Sequence, residues 1–480
     1  MDRKKPLVIR DEIHGDMTFG ETLKRVINHA CFQRLRYIKQ AGLAEFVFPC
    51  ATHTRFQHSL GASFLAGQYF ETMLRGWQSS PLDFDGRSEK TRFFGPRTRE
   101  VLMRVAEHPA SLDFWHQTAM LAALLHDVGH GPWSHTFEAL ELKQDFSAIT
   151  KSMSGSLAKY FSELEKKKQR LKHEDLSVVY IYKILSDLQD TGYIENANLY
   201  LLAVASLANR KLNSGSMRQS VEAELTAVLQ ENGIRGGVEV HRLLRPIISG
   251  PFDVDRIDYI QRDGRNCGVN IGGIEWRRIV TKLIPCLAEH KGNGDQPEEV
   301  VLVSNMKNQH VLDDFIFSLF QMYAQVYMHP KIVALEEVSR RLVQKRVKAA
   351  KGPVIDFNLH MSFTDDSFRK ALKDDFRIPE IDDILFRRPR GVIHVVNPGP
   401  GVKQDRELKK SGYVEVVTHD RPMMKDSVGV FLFTSILSGK KFEDGRAFII
   451  SPWEKVSPLA QYFFNVNYSP KIWIKSEALI

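Results

Sequence analysis

A mainly α chain with a smaller α/β region at its C-terminal end is predicted from two textures that meet near residue 350. From about residue 20 to 350, apolar residues recur at three- and four-residue spacing, as in TLKRVINHACFQRLRYIK, TRFQHSLGASFLAGQYFETML and VLDDFIFSLFQMYAQVYMH, the signature of amphipathic helices. After KAAKGP the chain turns to β-branched and aromatic runs broken by turn residues: GVIHVVNPGP, GYVEVVTH, VGVFLFTSI and AFIISPW. The boundary is placed at 350/351, giving a core over 1–350 and an α/β region over 351–480 that is entered through the helical stretch TDDSFRKALKDD. Within the core, SSPLDFDGRSEKTRFFGP (79–96) and NSGS (213–216) read as loops. HKGNGDQPEE (290–299) reads as a turn between two β-prone stretches, RRIVTKLIP and VVLVSN.

Composition narrows the class. With 480 residues, 43% hydrophobic and 26% charged, the chain can bury one large core or two ordinary ones, which excludes disordered and collagen-like classes. Cys31, Cys50, Cys267 and Cys286 are far apart and form no CxxC pair, so neither a zinc knuckle nor a disulfide framework is expected. A reducing cytoplasm is the expected home. The opening MDRKKPLVIRDEIHGD turns polar too soon for a signal peptide, no apolar run has membrane-spanning length, and no membrane partner is expected. The 66 Lys and Arg against 58 Asp and Glu leave a formal +8, which suits an anionic ligand but points only weakly to one in so long a chain. The basic runs EKKKQRLKH (165–173) and SRRLVQKRVKAAKG (339–352) are read as solvated helix faces.

The informative segment is LLHDVGHGPWSH (124–135), three histidines and an aspartate at the end of an apolar helix. A histidine on such a helix is ordinarily a hydrogen-bonded core residue. Here His126 is followed at once by Asp127, and adjacent side chains at a helix end can both reach one cation. HTRFQHSLG upstream offers His58, and GPFDVDRIDYIQRDG downstream offers Asp255. His58, His126, Asp127 and Asp255 together make a mixed nitrogen and oxygen set suited to one Fe, Mn, Zn or Co ion with open positions. His53, close to His58, is the residue most easily mistaken for a ligand. His14, His29, His108, His116, His241 and His329 are assigned to surface or core. No Walker loop and no Gly-x-Ser-x-Gly elbow is present, so phosphate binding falls to side chains.

FQRLRYIKQAG, VFPCATHTRFQHSLGASFLAG, LLHDVGHGPWSHTFE, KHEDLS and DVDRIDYIQRDGRNCGV occur in one order over roughly residues 7–350. In this the chain resembles the HD-domain phosphohydrolases, and most of all the deoxynucleoside triphosphate triphosphohydrolases of the sterile-alpha-motif and HD-domain type. The resemblance implies an HD-domain helical bundle and the metal set just named. It also implies that His130, His135, Glu138 and His173 surround the scissile phosphate, with Glu138 orienting His173 as the acid. Gln40, Arg55, Arg256, Tyr259, Asp263 and Tyr327 match positions that hold sugar and phosphates. Departures accompany the match: Glu138 stands for Asp, Arg256 for Lys, and Leu319 and Tyr323 for an arginine and a histidine. Asn28 stands for the activator site's aspartate, although Gln33 and Arg36 match. No sterile-alpha-motif domain is expected ahead of the HD core, and 139–172 and 205–240 read as insertions.

The function expected from the resemblance is hydrolysis of dNTPs to deoxynucleoside and inorganic triphosphate, with magnesium on the nucleotide phosphates. A nucleotide activator and a homo-oligomer are the partners it implies. Two other readings stay open. One is a phosphodiesterase or nuclease acting on a signalling nucleotide or single-stranded nucleic acid, with His130, His135 and His173 recruiting a second metal. The other is a nucleic-acid binding module that uses the basic helix around Arg340 to Lys351.

Overall fold

The helix Pro109–Leu125 is apolar on nearly every side, and Phe114, Trp115 and all of Ala119–Leu125 are buried. A helix without a polar face must be surrounded by others. His108 caps it by accepting from the Ser111 amide at 3.3 Å, and Pro109 sits where its missing N–H costs nothing. Arg55–Gln78, Ala197–Ala208 and Gly237–Ile248 pack around it, and Val254–Asn266 lies on the Arg55–Gln78 helix. The computed structural model describes residues 5–78, 85–88, 91–194, 197–271, 273–290, 299–350 and 354–386. Beyond these it describes the strands Ile393–Val396, Tyr413–Val416, Val430–Ile436, Ala447–Pro452 and Lys471–Lys475. The protein is mainly α, as the periodicity predicts.

Several local expectations need correction. The stretch TLKRVINHACFQRLRYIK (22–39) is not one helix: Glu21–Asn28 stops at His29, whose backbone is extended and whose ring accepts from the Cys31 amide at 3.2 Å. A side chain that bonds its own neighbourhood competes with helix continuation. RRIVTKLIP is not a strand throughout, because Trp276–Lys282 is helical and the strand begins at Ile284. The 79–96 stretch contains a strand pair, Asp85–Ser88 with Thr91–Phe94, between residues that lie outside those described. The first basic run leaves its helix at Lys166, so 167–172 is a connection rather than a helix face, exposed at 167–169 and Lys172 and half-buried at Arg170 and Leu171.

A six-stranded sheet runs in the order Ala447–Pro452, Val430–Ile436, Glu299–Asn305, Ile284–His290, Thr91–Phe94, Asp85–Ser88. Every pair is antiparallel except Val430–Ile436 with Glu299–Asn305. Residues from both sides of 350 therefore share one sheet. They also share an apolar cluster, in which Leu43, Trp133 and Phe137 meet Val338 and Val343 and the later Phe363, Phe368 and Leu385. Among the described residues no helix is long and apolar enough to cross a membrane. In the second basic run, Arg340 and Arg341 pair with Glu337 at 2.7 and 2.5 Å, and Arg346 with Glu380 at 2.8 Å. These guanidiniums are engaged within the fold, which weakens the case for a nucleic-acid surface there.

Candidate metal centre and cleft

The HD loop is held by its neighbours. Ser177, on the helix His173–Asp190, donates to the His126 carbonyl at 2.6 Å and accepts from the Gly129 amide at 3.0 Å. The approach is so close that a Cβ on Gly129 would overlap the Ser177 nitrogen and lie 2.5 Å from the His173 carbonyl oxygen. Only glycine fits there. Arg34 donates to the carbonyls of Val128 and His130 at 3.0 and 2.7 Å. Trp133 and Ser134 follow with φ of 57° and 56°, a left-handed geometry that non-glycine residues rarely adopt. Asp365 stabilises it by accepting from the amides of Trp133 and Lys39 at 2.7 and 2.8 Å.

His58, His126 and Asp255 bring their ligand atoms within 4.8 Å of one another, and Asp127 borders this group. Asp255 Oδ1 lies 3.1 Å from His58 Nε2 and 3.5 Å from His126 Nε2, while Asp127 places its oxygens 3.7 and 3.4 Å from the same two nitrogens. Ligands at ~2.1 Å from one ion are separated by about 3.0 Å in an octahedron and about 3.4 Å in a tetrahedron, so these spacings fit a divalent cation. Both Nε2 atoms are buried without a hydrogen-bond partner. Each ring's other nitrogen is engaged: His126 Nδ1 with the Ala123 carbonyl at 2.7 Å and His58 Nδ1 with Asp258 Oδ2 at 2.9 Å. A proton held on Nδ1 leaves the Nε2 lone pair facing the centre.

The local field is strongly negative. Burial works to strip the proton from His58, yet Asp255 and Asp258 drive its pKa up to about 10. Burial works to protonate Asp255, but the neighbouring imidazoles of His126 and His58 hold it far below the usual carboxylate range. Asp127 is likewise held well below that range against burial, by His126, Arg55 and His130. A field that retains a proton on buried imidazole also favours a divalent cation.

Asp258 is the residue sequence reasoning missed. It is fully buried, accepts from His58, His14 (2.7 Å) and Arg262, and Arg262 in turn pairs with Asp11 at 2.8 Å. The only signal in the sequence is its position one turn beyond Asp255. Gly61 faces it, and a Cβ there would overlap Asp258 Oδ1 and lie 2.6 Å from Arg262 Nη2. Gly61→Ala is accordingly expected to destabilise the fold by about 1–3 kcal/mol through overpacking, and to loosen metal retention by disturbing His58. Thermal unfolding and elemental analysis check this; an unchanged melting temperature with full metal content would refute it.

Beside the metal set lies a second cluster, His130, His135, Glu138 and His173, whose ligand atoms lie within 4.8 Å of one another. His130 and His173 stack with centroids 3.9 Å apart and planes 16° apart. His173 Nδ1 is hydrogen-bonded to Glu138 Oε1. Burial opposes charge on His173, but Glu138 outweighs it and the pKa is raised. Burial and the charges of Arg55 and His173 hold His130 neutral, well below its usual range.

One cleft of about 290 Å³ is lined by Gln40, Arg55, Asp127, His130, His135, His173, Asp255, Tyr259, Asp263 and Tyr327. Arg55 is buried, bonded to Asp127 and, at 2.8 Å, to Ser134. Tyr327 donates to Asp263 at 2.7 Å, and His53 binds the other Asp263 oxygen at 2.6 Å, which keeps it out of the metal set. Tyr323 and Tyr327 lie on one π-helical turn, ring centroids 5.5 Å apart. Arg256 is not brought into the cleft: its guanidinium is bonded to the Gly250 carbonyl and, at 2.6 Å, to Asp253. Trp133, Ser134 and Glu336 also line it, and nothing in the spacing of the sequence distinguished them.

Residues 97–263 match the HD domain, a stretch that contains every residue of both clusters except His58. The chain is 28% identical over 390 residues to the deoxynucleoside triphosphate triphosphohydrolase SAMHD1 homologue of Dictyostelium discoideum, covering 80% of this chain and 55% of that protein. It is 26% identical over 341 residues to an uncharacterized protein, MJ1154, of Methanocaldococcus jannaschii, covering 71% and 50%. The chain thus spans about half the length of these curated relatives. A crystal structure of a phosphohydrolase from Bacteroides thetaiotaomicron shares the fold, with a TM-score of 0.60 at 19% identity over 98% of this chain and all of that one. The matched segment carries the histidine–aspartate pair, with Asp127 on the wall of the cleft, and in it the chain is similar to the HD domain and, over a longer stretch, to the SAMHD1-type deoxynucleoside triphosphate triphosphohydrolases.

Proposed function

We propose that the protein is a metal-dependent phosphohydrolase that converts dNTPs to deoxynucleoside and inorganic triphosphate. What supports the reading is that His58, His126 and Asp255 lie at cation spacing, with Asp127 beside them, next to a cleft lined by Asp127, Asp255 and the carboxylate-held imidazole of His173. His58, His126, Asp127 and Asp255 would hold the transition metal, which supplies Lewis acidity and lowers the pKa of water to about 7. His173, kept charged by Glu138, donates a proton to the departing 5′ oxygen. His130 and His135 flank the phosphate. Gln40, Asp263 and Tyr327 grip the deoxyribose, and Tyr327, fixed by Asp263, leaves little room for a 2′ hydroxyl. Arg55 and Tyr259 would meet the phosphate chain, whose charge a magnesium ion would help to offset; Arg256 supports the loop at 250–253 instead.

The products decide. Incubation with dGTP, dATP and GTP, singly and mixed in case a nucleotide activator is needed, followed by anion-exchange chromatography and phosphorus NMR, is expected to give inorganic triphosphate from the deoxy substrates. GTP should react at least ~tenfold more slowly. Monophosphate and pyrophosphate as sole products, or cleavage confined to oligonucleotides, would overturn the reading. The second cluster's four ligand atoms favour one alternative, a binuclear phosphodiesterase. Two transition ions per chain would select it.

A further inference from the structure

His53, excluded from the metal set, is the histidine that the site leaves without a task. Separate segments of the cleft wall meet on it. Its backbone carbonyl accepts from the Gln40 amide at 3.0 Å, in a short antiparallel contact that also pairs Lys39 with Thr54 and brings the Arg55 amide 2.9 Å from the Ile38 carbonyl. Its ring Nε2 lies 2.6 Å from Asp263 Oδ1 on the helix Val254–Asn266. The other oxygen of Asp263 accepts from Tyr327, on the π-helical turn Tyr323–Tyr327, at 2.7 Å. Gln40, Asp263 and Tyr327 line the cleft, whereas His53 is not among its described lining residues and lies behind them, 3% exposed.

Packing alone does not account for a histidine here. A carboxylate accepts at both oxygens, so the imidazole proton sits on Nε2 and Nδ1 keeps its lone pair. That Nδ1 is buried without a hydrogen-bond partner. An apolar side chain of similar shape would fill the space without stranding an acceptor. What the histidine adds is a second fixed bond on Asp263. A carboxylate held at one oxygen can still turn about that bond; held at both, it cannot, and the Tyr327 hydroxyl is then fixed in place. Two bonds leave further lone pairs on Asp263 for a sugar hydroxyl. On the same wall, Gln40 Oε1 is buried without a partner, a second acceptor for such a hydroxyl.

We infer that His53 is a positioning residue that sets the preference for 2′-deoxyribose over ribose, acting through Asp263 on Tyr327; this deepens the deoxynucleotide reading and rests on it for the identity of the sugar. The probes are deoxyadenosine and adenosine, which carry the sugar without phosphate, so that binding to the full chain is read by calorimetry whatever reaction the metal centre performs. The native protein is expected to bind deoxyadenosine about tenfold more tightly than adenosine. His53→Leu fills the space but donates nothing, and should bring the two affinities within about twofold of each other. His53→Gln places an amide nitrogen about as far out as Nε2 and should retain the preference, whereas His53→Asn, one bond shorter, should lose it. Metal content should match the native protein in each variant. A preference that persists in His53→Leu, a loss in His53→Gln as large as in His53→Leu, or equal weakening toward both nucleosides, the result of a merely structural role, would overturn the assignment. So would a native protein that binds both alike or neither. If His53→Leu does not fold, the contrast between His53→Gln and His53→Asn decides. The reaction fails separately: a deoxy preference without inorganic triphosphate among the products of dNTPs rejects the proposed chemistry and keeps the role of His53, and triphosphate without the preference does the reverse.

Discussion

Protein carrying His126→Ala together with Asp127→Ala should purify without its transition metal, and turnover should fall to background. The argument is geometric. Asp127 supplies one oxygen to each side of the centre, 3.4 Å from His126 Nε2 and 3.7 Å from His58 Nε2, so the double change removes two of four donors at once. Losing the ion forfeits several kcal/mol of charge stabilisation, about 10³-fold or more in rate. The fold should survive, because Arg55 keeps Ser134 and the HD loop keeps its backbone clamps from Ser177 and Arg34. Circular dichroism and elemental analysis together check this, and full metal content in the double variant would sink the ligand assignment. The expected native content is one transition ion per chain.

The second large effect belongs to His173. Replaced by Asn, it should leave the metal in place and lower kcat by roughly 10²–10⁴, the range for loss of a general acid. Glu138→Gln separates orientation from chemistry. The carboxylate raises the His173 pKa against burial, so its removal lowers that pKa and the proton is lost at lower pH. The alkaline limb of the kcat profile should therefore move toward acid in Glu138→Gln, with metal content unchanged. A profile that does not move, or wild-type turnover in His173→Asn, would shift the acid to His130 or His135.

Much of this site was legible in the chain. Periodicity marked the long helices that carry His58 and Asp255, and the adjacent His126 and Asp127 after an apolar run drew notice as candidate ligands, because residues adjacent at a helix end need no distant contact to be seen together. The β-rich texture after residue 350 likewise appears as strands at 393–396, 413–416, 430–436 and 447–452. Other features depend on contacts between residues far apart. Asp258 matters because His14, His58 and Arg262 reach it from 244, 200 and 4 residues away, and no local pattern encodes such a meeting. Arg256 looked like a phosphate ligand by position, but its side chain follows Asp253 and the Gly250 carbonyl, and direction is not written in spacing. Asp365 lies more than 230 positions from the Trp133 amide it binds, so the strained loop beside the metal is held by a segment that the sequence assigned to a separate region. Local propensity sets which residues can be ligands or helices; long-range packing and hydrogen bonding set which way those ligands face and what holds them there.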